Sequence, residues 1–277
     1  MISPLNSKII SYLPSQPAFE FQTEYYTEQK VRIKPNQPPI LFYQFKMGGG
    51  SSQISVIPDG CIDILINCDQ HYGNICGSVT KSRVINLLPN SRYFGIRFLP
   101  CLDIKKIKFD IKDLTDKEVS LNEMFPVNTN ILERVVTEES FMEKVNIFNE
   151  ILESQIFEID KSTKLIKQAL YNIYATRGNI TITQLAEEVG YSTRYLRKQF
   201  EDHIGISPKF FSQIVRFQSS LNMLLRATHF TLNDVIYENG YYDQAHLIHE
   251  FRNFGCMTPY QLTGQKSSLK TCKIMFV

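Results

Sequence analysis

The sequence lacks the features that would place a protein in a membrane or send it out of the cell. Its 277 residues contain no run of eighteen apolar residues, so no membrane-spanning helix is expected. The first residues, Met1-Ile2-Ser3-Pro4-Leu5, do not combine a charged segment with a following apolar one, so no secretory signal is expected. These absences predict a cytoplasmic protein with no membrane contact.

The sequence is also short of metal-binding and disulfide patterns. None of its six cysteines belongs to a Cys-x-x-Cys pair, and reduced thiols are the default in a cytoplasmic chain. Four candidates for a metal or thiol-sensor site lie near one another: Cys61, Cys68, His71 and Cys76. Their spacing matches no zinc motif, which favours buried cysteines on strands. Since His71 is the one histidine of the N-terminal half, we expect no metal, no cofactor and no enzyme activity.

Charge is divided unevenly along the chain. From Ser162 onward there are 13 Lys and Arg against 8 Asp and Glu, a net of +5, whereas the preceding residues carry 17 basic and 20 acidic side chains, a net of −3. Binding to nucleic acid requires neutralisation of phosphates. The C-terminal half is therefore the half expected to meet a polyanion, although so modest a surplus is not proof of DNA binding.

The C-terminal half contains one pattern twice, about fifty residues apart, at 182–200 and 232–251. Each copy is a short amphipathic stretch, a Gly-Tyr pair, and a second stretch that begins at a capping residue. Gly190 and Gly240 can take the left-handed conformation that ends a helix, and Ser192 and Asp243 can cap the next one. One such copy could be an ordinary helical hairpin. Two copies in register predict tandem helix-turn-helix units and sequence-specific DNA binding.

The segment between the two copies predicts a single connecting helix. Ser207 is a suitable N-cap and Pro208 a suitable first residue, and apolar residues recur as far as Leu225. A helix of these 18 residues spans about 27 Å at ~1.5 Å per residue. Successive major-groove faces lie about 34 Å apart. The connecting helix therefore has a length suited to holding two recognition helices near one DNA turn apart.

The N-terminal half predicts strands, for instance at 40–46, 54–57, 61–66 and 93–98, and thus a small barrel or sandwich. Asp63 lies within one of these strands, and Asp59 in the preceding turn. Arg97 lies between Ile96 and Phe98. We expect Arg97 to be either a surface residue, the preferred interpretation, or an inward cation that meets an acidic effector, with Asp63 as a further effector-binding candidate.

The middle of the chain predicts an amphipathic helix, with apolar residues at helical spacing: Phe141, Met142, Val145, Phe148, Ile151 and Leu152. This face could pack within the chain or against a second copy. The expected organisation is a β-rich sensor domain at 1–130, a helical linker and dimerisation helix at 131–161, and an all-α DNA-binding domain at 162–277. The fold class is α+β.

Residues from about 165 to 264 resemble the DNA-binding domain of the AraC/XylS family of bacterial transcription regulators. The resemblance rests on Leu185-Ala186, Gly190-Tyr191-Ser192, Leu196, Phe200, Gly205-Ile206-Ser207-Pro208, Gly240-Tyr241, Asp243-Gln244, His246-Leu247, Phe251-Arg252 and Thr258-Pro259. Two N-terminal segments, Pro58–Ile64 and Gly95–Pro100, resemble a domain found before some AraC-type units. The resemblance implies a cupin-like sensor followed by two recognition helices that enter successive major grooves.

The resemblance also implies which residues face DNA. They are Arg194, Tyr195, Arg197 and Lys198 in the first unit, and Gln244, His246, His249 and Arg252 in the second. The family often carries Arg at the place of His249. The implied partners are double-stranded DNA, a small-molecule effector, a second copy of the chain, and RNA polymerase if the protein is an activator. The alternatives for the N-terminal half are a protein-interaction module, a metal or thiol sensor, and a cupin-type enzyme.

Overall fold

The computed structural model describes residues 12–32, 39–50, 52–100, 110–124, 131–155, 162–226, 231–255 and 258–265. A strand-rich N-terminal half is followed by a helical C-terminal half, as the sequence predicts. The strands are β1 (Tyr25–Val31), β2 (Ile40–Lys46), β3 (Gln53–Val56), β4 (Ile62–Asn67), β5 (Tyr72–Cys76), β6 (Arg83–Asn86), β7 (Arg92–Phe98) and β8 (Glu118–Ser120). The N-terminal helices are α1 (Pro17–Phe21), α2 (Ile111–Leu114), α3 (Leu121–Met124), α4 (Ile131–Thr137) and α5 (Phe141–Gln155).

Six strands form one antiparallel sheet in the order β1-β2-β7-β4-β5-β8, and β3 pairs with β6 in a second, two-stranded sheet. Side chains alternate across each strand, and both faces of the large sheet are buried. One face carries Phe42, Ile64 and Phe94. The other carries Phe45 and Tyr93, which pack against β3 and β6. Within the described residues the strands therefore lie in two layers, and no pairing joins β1 to β8.

The amphipathic middle segment covers the first face of the sheet. Val145 and Phe148 of α5 are buried there together with Val135 of α4. The rings of Phe148 and Phe42 meet edge to face with centroids 6.3 Å apart. Of the two alternatives for this apolar face, packing within the chain is found for Val145 and Phe148, whereas Met142 is exposed. The side chains of Ile151 and Leu152 lie outside those that the structure describes. Residues 156–161, where the sequence predicts the domain boundary, also lie outside the described part.

The C-terminal helices share one core. They are α6 (Ser162–Ala175), α7 (Ile182–Val189), α8 (Thr193–Ile204), α9 (Pro208–Arg226), α10 (Leu232–Glu238), α11 (Gln244–Gly255) and α12 (Pro259–Gln265). The predicted apolar residues of both units are buried or half-buried in this core. The connecting helix α9 has 19 residues, one more than predicted. No helix in the described ranges is both long and apolar enough to span a membrane.

The two halves contact each other along α9. Ile57, from the N-terminal half, belongs to the core of the C-terminal helices. The Gln218 side chain is fully buried; its Oε1 accepts from the Ser15 N–H and its Nε2 donates to the Pro58 carbonyl, both at 2.8 Å. At a second contact, the Thr115 hydroxyl donates to the carbonyl of Gly205, at the end of α8. The halves are therefore held together by specific hydrogen bonds as well as by apolar packing.

Gly95 permits the closest side-chain approach on the large sheet. It pairs with Tyr43 across β2 and β7, and a Cβ at this position would overlap the Tyr43 ring. Gly95→Ala should therefore lower the free energy of unfolding by about 1–3 kcal/mol, the usual cost of overpacking a core. The control is Gly48→Ala, since a Cβ at Gly48 would meet nothing within 4 Å. Urea unfolding of both variants checks the prediction; equal stability of the two would contradict it.

Candidate DNA-binding surface

The first recognition helix, α8, has one buried and one exposed face. The Ser192 hydroxyl accepts the Tyr195 N–H and fixes the start of the helix, after Gly190 has turned the chain with a φ of 76°. Leu196, Phe200 and Ile204 then point into the core, because they recur every four residues. Three cations lie exposed away from these residues: Arg194, Arg197 and Lys198.

Two tyrosines widen the exposed surface at the start of α8. Tyr195, one of the predicted DNA contacts, is 44% exposed, and Tyr191 is 52% exposed. Their rings stack with centroids 5.2 Å apart. An aromatic stack next to cations presents both apolar surface and hydroxyl groups to a partner. The structure thus brings all four predicted residues of the first unit to one exposed region.

The second recognition helix, α11, repeats the inward register of α8. Leu247 and Phe251 are buried, 51 residues after Leu196 and Phe200. The turn before α11 is one residue longer: Gly240 stands three residues before the cap Asp243, whereas Gly190 stands two before Ser192. Asp243 caps the helix, since its Oδ1 accepts the His246 N–H at 2.7 Å.

This register shows that the two helices present different chemistry. The positions that match Arg194, Arg197 and Lys198 carry Ala245, Ile248 and His249. The exposed face of α11 is therefore less cationic than that of α8. Of the predicted second-unit contacts, Gln244, His249 and Arg252 are exposed. The Gln244 amide donates to the Tyr260 hydroxyl at 2.9 Å, and His249 Nδ1 lies 3.2 Å from Asn253 Nδ2.

His246 is turned toward the connecting helix. Its Nε2 lies 3.4 Å from Arg216 Nη2 and 3.8 Å from Glu250 Oε2, and its ring meets Tyr241 edge to face. Burial, followed by the Arg216 charge, lowers the pKa of His246. His246 thus packs against α9, whereas Gln244, His249 and Arg252 are exposed to solvent.

The second unit contains a buried ion pair that the sequence pattern does not predict. Arg216 Nη2 on α9 donates to Glu250 Oε2 on α11 at 2.6 Å, and the Arg216 guanidinium lies 5.0 Å from the centre of the Tyr241 ring. Burial raises the pKa of Glu250 while Arg216 lowers it. A glutamate one residue before the inward-facing Phe251 was the sequence signal that could have indicated this pair.

The predicted effector residues of the N-terminal half lie together, but in the interior. Arg97 is 4% exposed, so its preferred interpretation as a surface residue is wrong: adjacent strands place it opposite Asp63. Arg97 Nε lies 3.0 Å from Asp63 Oδ1 and 3.6 Å from Asp59 Oδ2, and Tyr43 also donates to Asp63. Burial raises the pKa of Asp63, and the Arg97 charge opposes this shift. The Arg97 charge is therefore matched by protein carboxylates.

The cavity beside Arg97 is small. It lies between the segment Leu13–Gln16 and strands β1 and β2, and it encloses about 20 Å³. That volume holds about one water molecule. An effector that uses Arg97 would therefore have to displace Leu13–Gln16 or the two carboxylates.

The cysteines in the described residues are free thiols. Cys61 and Cys68 are buried and Cys76 is half-buried, and burial raises the pKa of each. Among the residues that the structure describes, no group of three His, Cys, Asp or Glu side chains could hold a metal ion. Cys101, Cys256 and Cys272 lie outside those residues.

Two protein-family models match the chain. The model described as "Helix-turn-helix domain" matches residues 185–265, which include the first unit from Leu185 onward, α9 and the whole second unit. The model "Domain of unknown function (DUF6597)" matches residues 40–120, which contain the segments Pro58–Ile64 and Gly95–Pro100. Each half of the chain therefore has its own counterpart among known families.

Curated relatives include uncharacterized HTH-type transcriptional regulators of Staphylococcus aureus strains MSSA476 and MRSA252, each 26% identical over 91 residues. The match covers 33% of this chain and 12% of each relative's length. Among solved structures, ToxT from Vibrio cholerae O395 aligns at 12% identity with a TM-score of 0.43, over 89% of this chain and 98% of that one. ToxT of strain SCE256 with a bound unsaturated fatty acid aligns at 12% identity with a TM-score of 0.42, over 91% and 96%.

The family-model match coincides with the repeated pattern of Gly-Tyr, helix cap and buried apolar residues. Residues 185–265 therefore form a helix-turn-helix domain of the AraC type, like the one that the curated HTH-type transcriptional regulators share with this chain over 91 residues.

Proposed function

We propose that the protein is a sequence-specific regulator of transcription that inserts α8 and α11 into successive major grooves of double-stranded DNA. The observation that carries the proposal is the presence of two capped recognition helices with the same inward register on one connecting helix. At ~1.5 Å per residue, the 19 residues of α9 span about 28 Å, close to the ~34 Å between successive groove faces.

The proposed contacts differ between the units. In the first, Arg194, Arg197 and Lys198 meet base edges or phosphates, with Tyr195 beside them. In the second, Gln244, His249 and Arg252 face the duplex, and His246 contributes chiefly by its contacts inside the unit. Because arginine can donate two hydrogen bonds to one guanine, the first unit is expected to provide most of the cationic contact.

Arg197→Ala should weaken binding to a selected DNA site by about 1–3 kcal/mol if the side chain contacts guanine through two hydrogen bonds. The matched control is Arg134→Ala, which removes the same charge from an exposed residue of α4. Gel-shift titrations at fixed salt give both affinities. Unchanged affinity and site preference for Arg197→Ala would contradict this assignment.

We further propose the division into a sensor or regulatory domain at 1–130, a helical segment at 131–161, and the DNA-binding domain at 162–277. The contacts of Gln218 and Thr115 support control of the DNA-binding half by the N-terminal half, because they join the two directly. The signal is proposed to be a small molecule; the alternatives for the N-terminal half are a protein-interaction module, a metal or thiol sensor and, as the least favoured, a cupin-type enzyme. A homodimer, recruitment of RNA polymerase as an activator, and a cytoplasmic location complete the proposal.

Residues 162–277 expressed alone should fold and bind DNA, because the C-terminal core consists almost entirely of their own side chains. The full chain should bind with a different affinity, salt dependence or stoichiometry, since the N-terminal half adds its contacts to α9. Fluorescence anisotropy with one labelled duplex compares the two proteins. Identical values for all three quantities would argue against a regulatory N-terminal half.

Native mass spectrometry of the full chain, purified gently from its host, tests the nature of the signal. A small-molecule effector predicts a retained mass that disappears on denaturation. Because the cavity beside Arg97 holds about one water molecule, binding there should also displace Leu13–Gln16 and raise amide exchange in that segment. Two results together would favour the protein-interaction alternative. One is a measured mass equal to that of the protein without a ligand, and the other is amide exchange in Leu13–Gln16 that does not change when host metabolites are added.

A further inference from the structure

The ion pair between Arg216 and Glu250 is the main polar link between α9 and the second recognition helix. Two nitrogens of the guanidinium reach one carboxylate: Nη2 lies 2.6 Å and Nε 3.2 Å from Glu250 Oε2. The side chains are only 13% and 6% exposed. The pair is therefore largely screened from water, and its geometry is fixed by more than one hydrogen bond.

The surroundings of the pair add further directional contacts. Arg216 lies over the Tyr241 ring, and the Ser220 hydroxyl, one turn further along α9, donates to the Tyr241 hydroxyl at 3.2 Å. His246 fills the remaining side, with Nε2 3.4 Å from Arg216. The first and second turns of α11, through His246 and Glu250, are thus attached to the same short stretch of α9.

The first unit is held in another way. Its position equivalent to Glu250 carries Gln199, which has no charge. Leu196, Phe200 and Ile204 hold α8 against the core by apolar contact. Apolar contact is roughly proportional to area and has little directional preference, whereas a hydrogen-bonded ion pair fixes the rotation of a helix and its shift along the axis.

The rotation of α11 decides what it offers to DNA. His249 precedes Glu250 directly and Arg252 follows two residues later, so any rotation that breaks the ion pair also moves these side chains. The helix has few other cations on that face, since Ala245 and Ile248 occupy the places of Arg194 and Arg197. A small change in the rotation of α11 would therefore remove a large part of the proposed contact between the second unit and DNA.

We infer that Arg216 and Glu250 are positioning residues that set the orientation of the second recognition helix, so that reading of the second half-site depends on their ion pair. This inference rests on the proposed function. It predicts that loss of the pair abolishes recognition of the second half-site and leaves recognition of the first unchanged.

Hydroxyl-radical footprinting on a DNA site selected from a random library by the wild-type chain tests the inference. Two variants remove the pair: Glu250→Gln, which leaves Arg216 buried without its counter-ion, and the double variant Arg216→Met with Glu250→Leu, which replaces both charges by apolar groups and is expected to fold. The control is Glu238→Gln, which removes the charge of an exposed carboxylate of the second unit that pairs with Arg177, just after α6. Thermal unfolding shows that each protein is folded at the temperature of the footprint.

The expected result is protection of both half-sites by wild type and Glu238→Gln, and loss of protection at the second half-site alone in both pair variants. If Glu250→Gln is unfolded, the double variant decides. A folded double variant that protects both half-sites overturns the inference and leaves the proposed function intact. A folded wild-type chain that selects and protects no DNA overturns the proposed function and this inference with it.

Discussion

The fully buried side chain of Gln218 joins the two halves of the molecule, together with the packing of Ile57 and the hydrogen bond between Thr115 and Gly205. It lies on α9 and satisfies one N–H and one carbonyl of the N-terminal half, at Ser15 and Pro58. Both backbone groups would otherwise be buried without partners, which is costly. The same helix carries Arg216, which holds the second recognition helix. One rigid element thus fixes the N-terminal half on one side and a recognition helix on another.

The N-terminal half also contains buried polar groups that need partners, and here the partners are oppositely charged side chains. Its large sheet is apolar on both faces, yet β4 and β7 bring Asp63 and Arg97 side by side in the interior. Asp59, whose Oδ1 accepts the Cys61 N–H and whose Oδ2 accepts from Gln16, provides the second carboxylate. The cluster sets two carboxylates against one guanidinium, so removal of Arg97 would leave both carboxylates buried without a counter-charge. Through the hydrogen bond between Gln16 and Asp59, the cluster also attaches the segment before α1 to the turn at Pro58, which contacts α9.

Local features of the C-terminal half could be predicted from the sequence. Gly190, Gly240, Ser192 and Asp243 specify helix ends by their own backbone preferences and hydrogen-bonding capacity, and the structure shows them in those roles. Helical spacing likewise indicated which residues are buried. The groove-facing roles of Arg194, Arg197 and Lys198 stay predictions, because exposure does not show what a side chain binds.

Contacts between distant residues could not be predicted in this way. Arg97 and Asp63 are 34 residues apart, as are Arg216 and Glu250, and Gln218 and Pro58 are 160 apart. Nothing in the local pattern of one member specifies the other. The edge strand β1 was also missed, since its residues are half-buried or exposed and lack the apolar run of β2.

Because the turn before α11 is longer than the turn before α8, the two helix-turn-helix units are unequal, and the protein would bind its DNA site in one orientation only. A dimer with two-fold symmetry binds a palindromic site, and such a site presents the same bases to the dimer in both orientations. In the proposed complex the two helices that read DNA are successive parts of one chain. They differ in their side chains, and the second follows a turn with one more residue. A duplex that fits them in one direction presents the wrong bases in the other. A single bound chain would therefore sit on its site with one polarity, and its N-terminal half would always face the same neighbouring stretch of DNA.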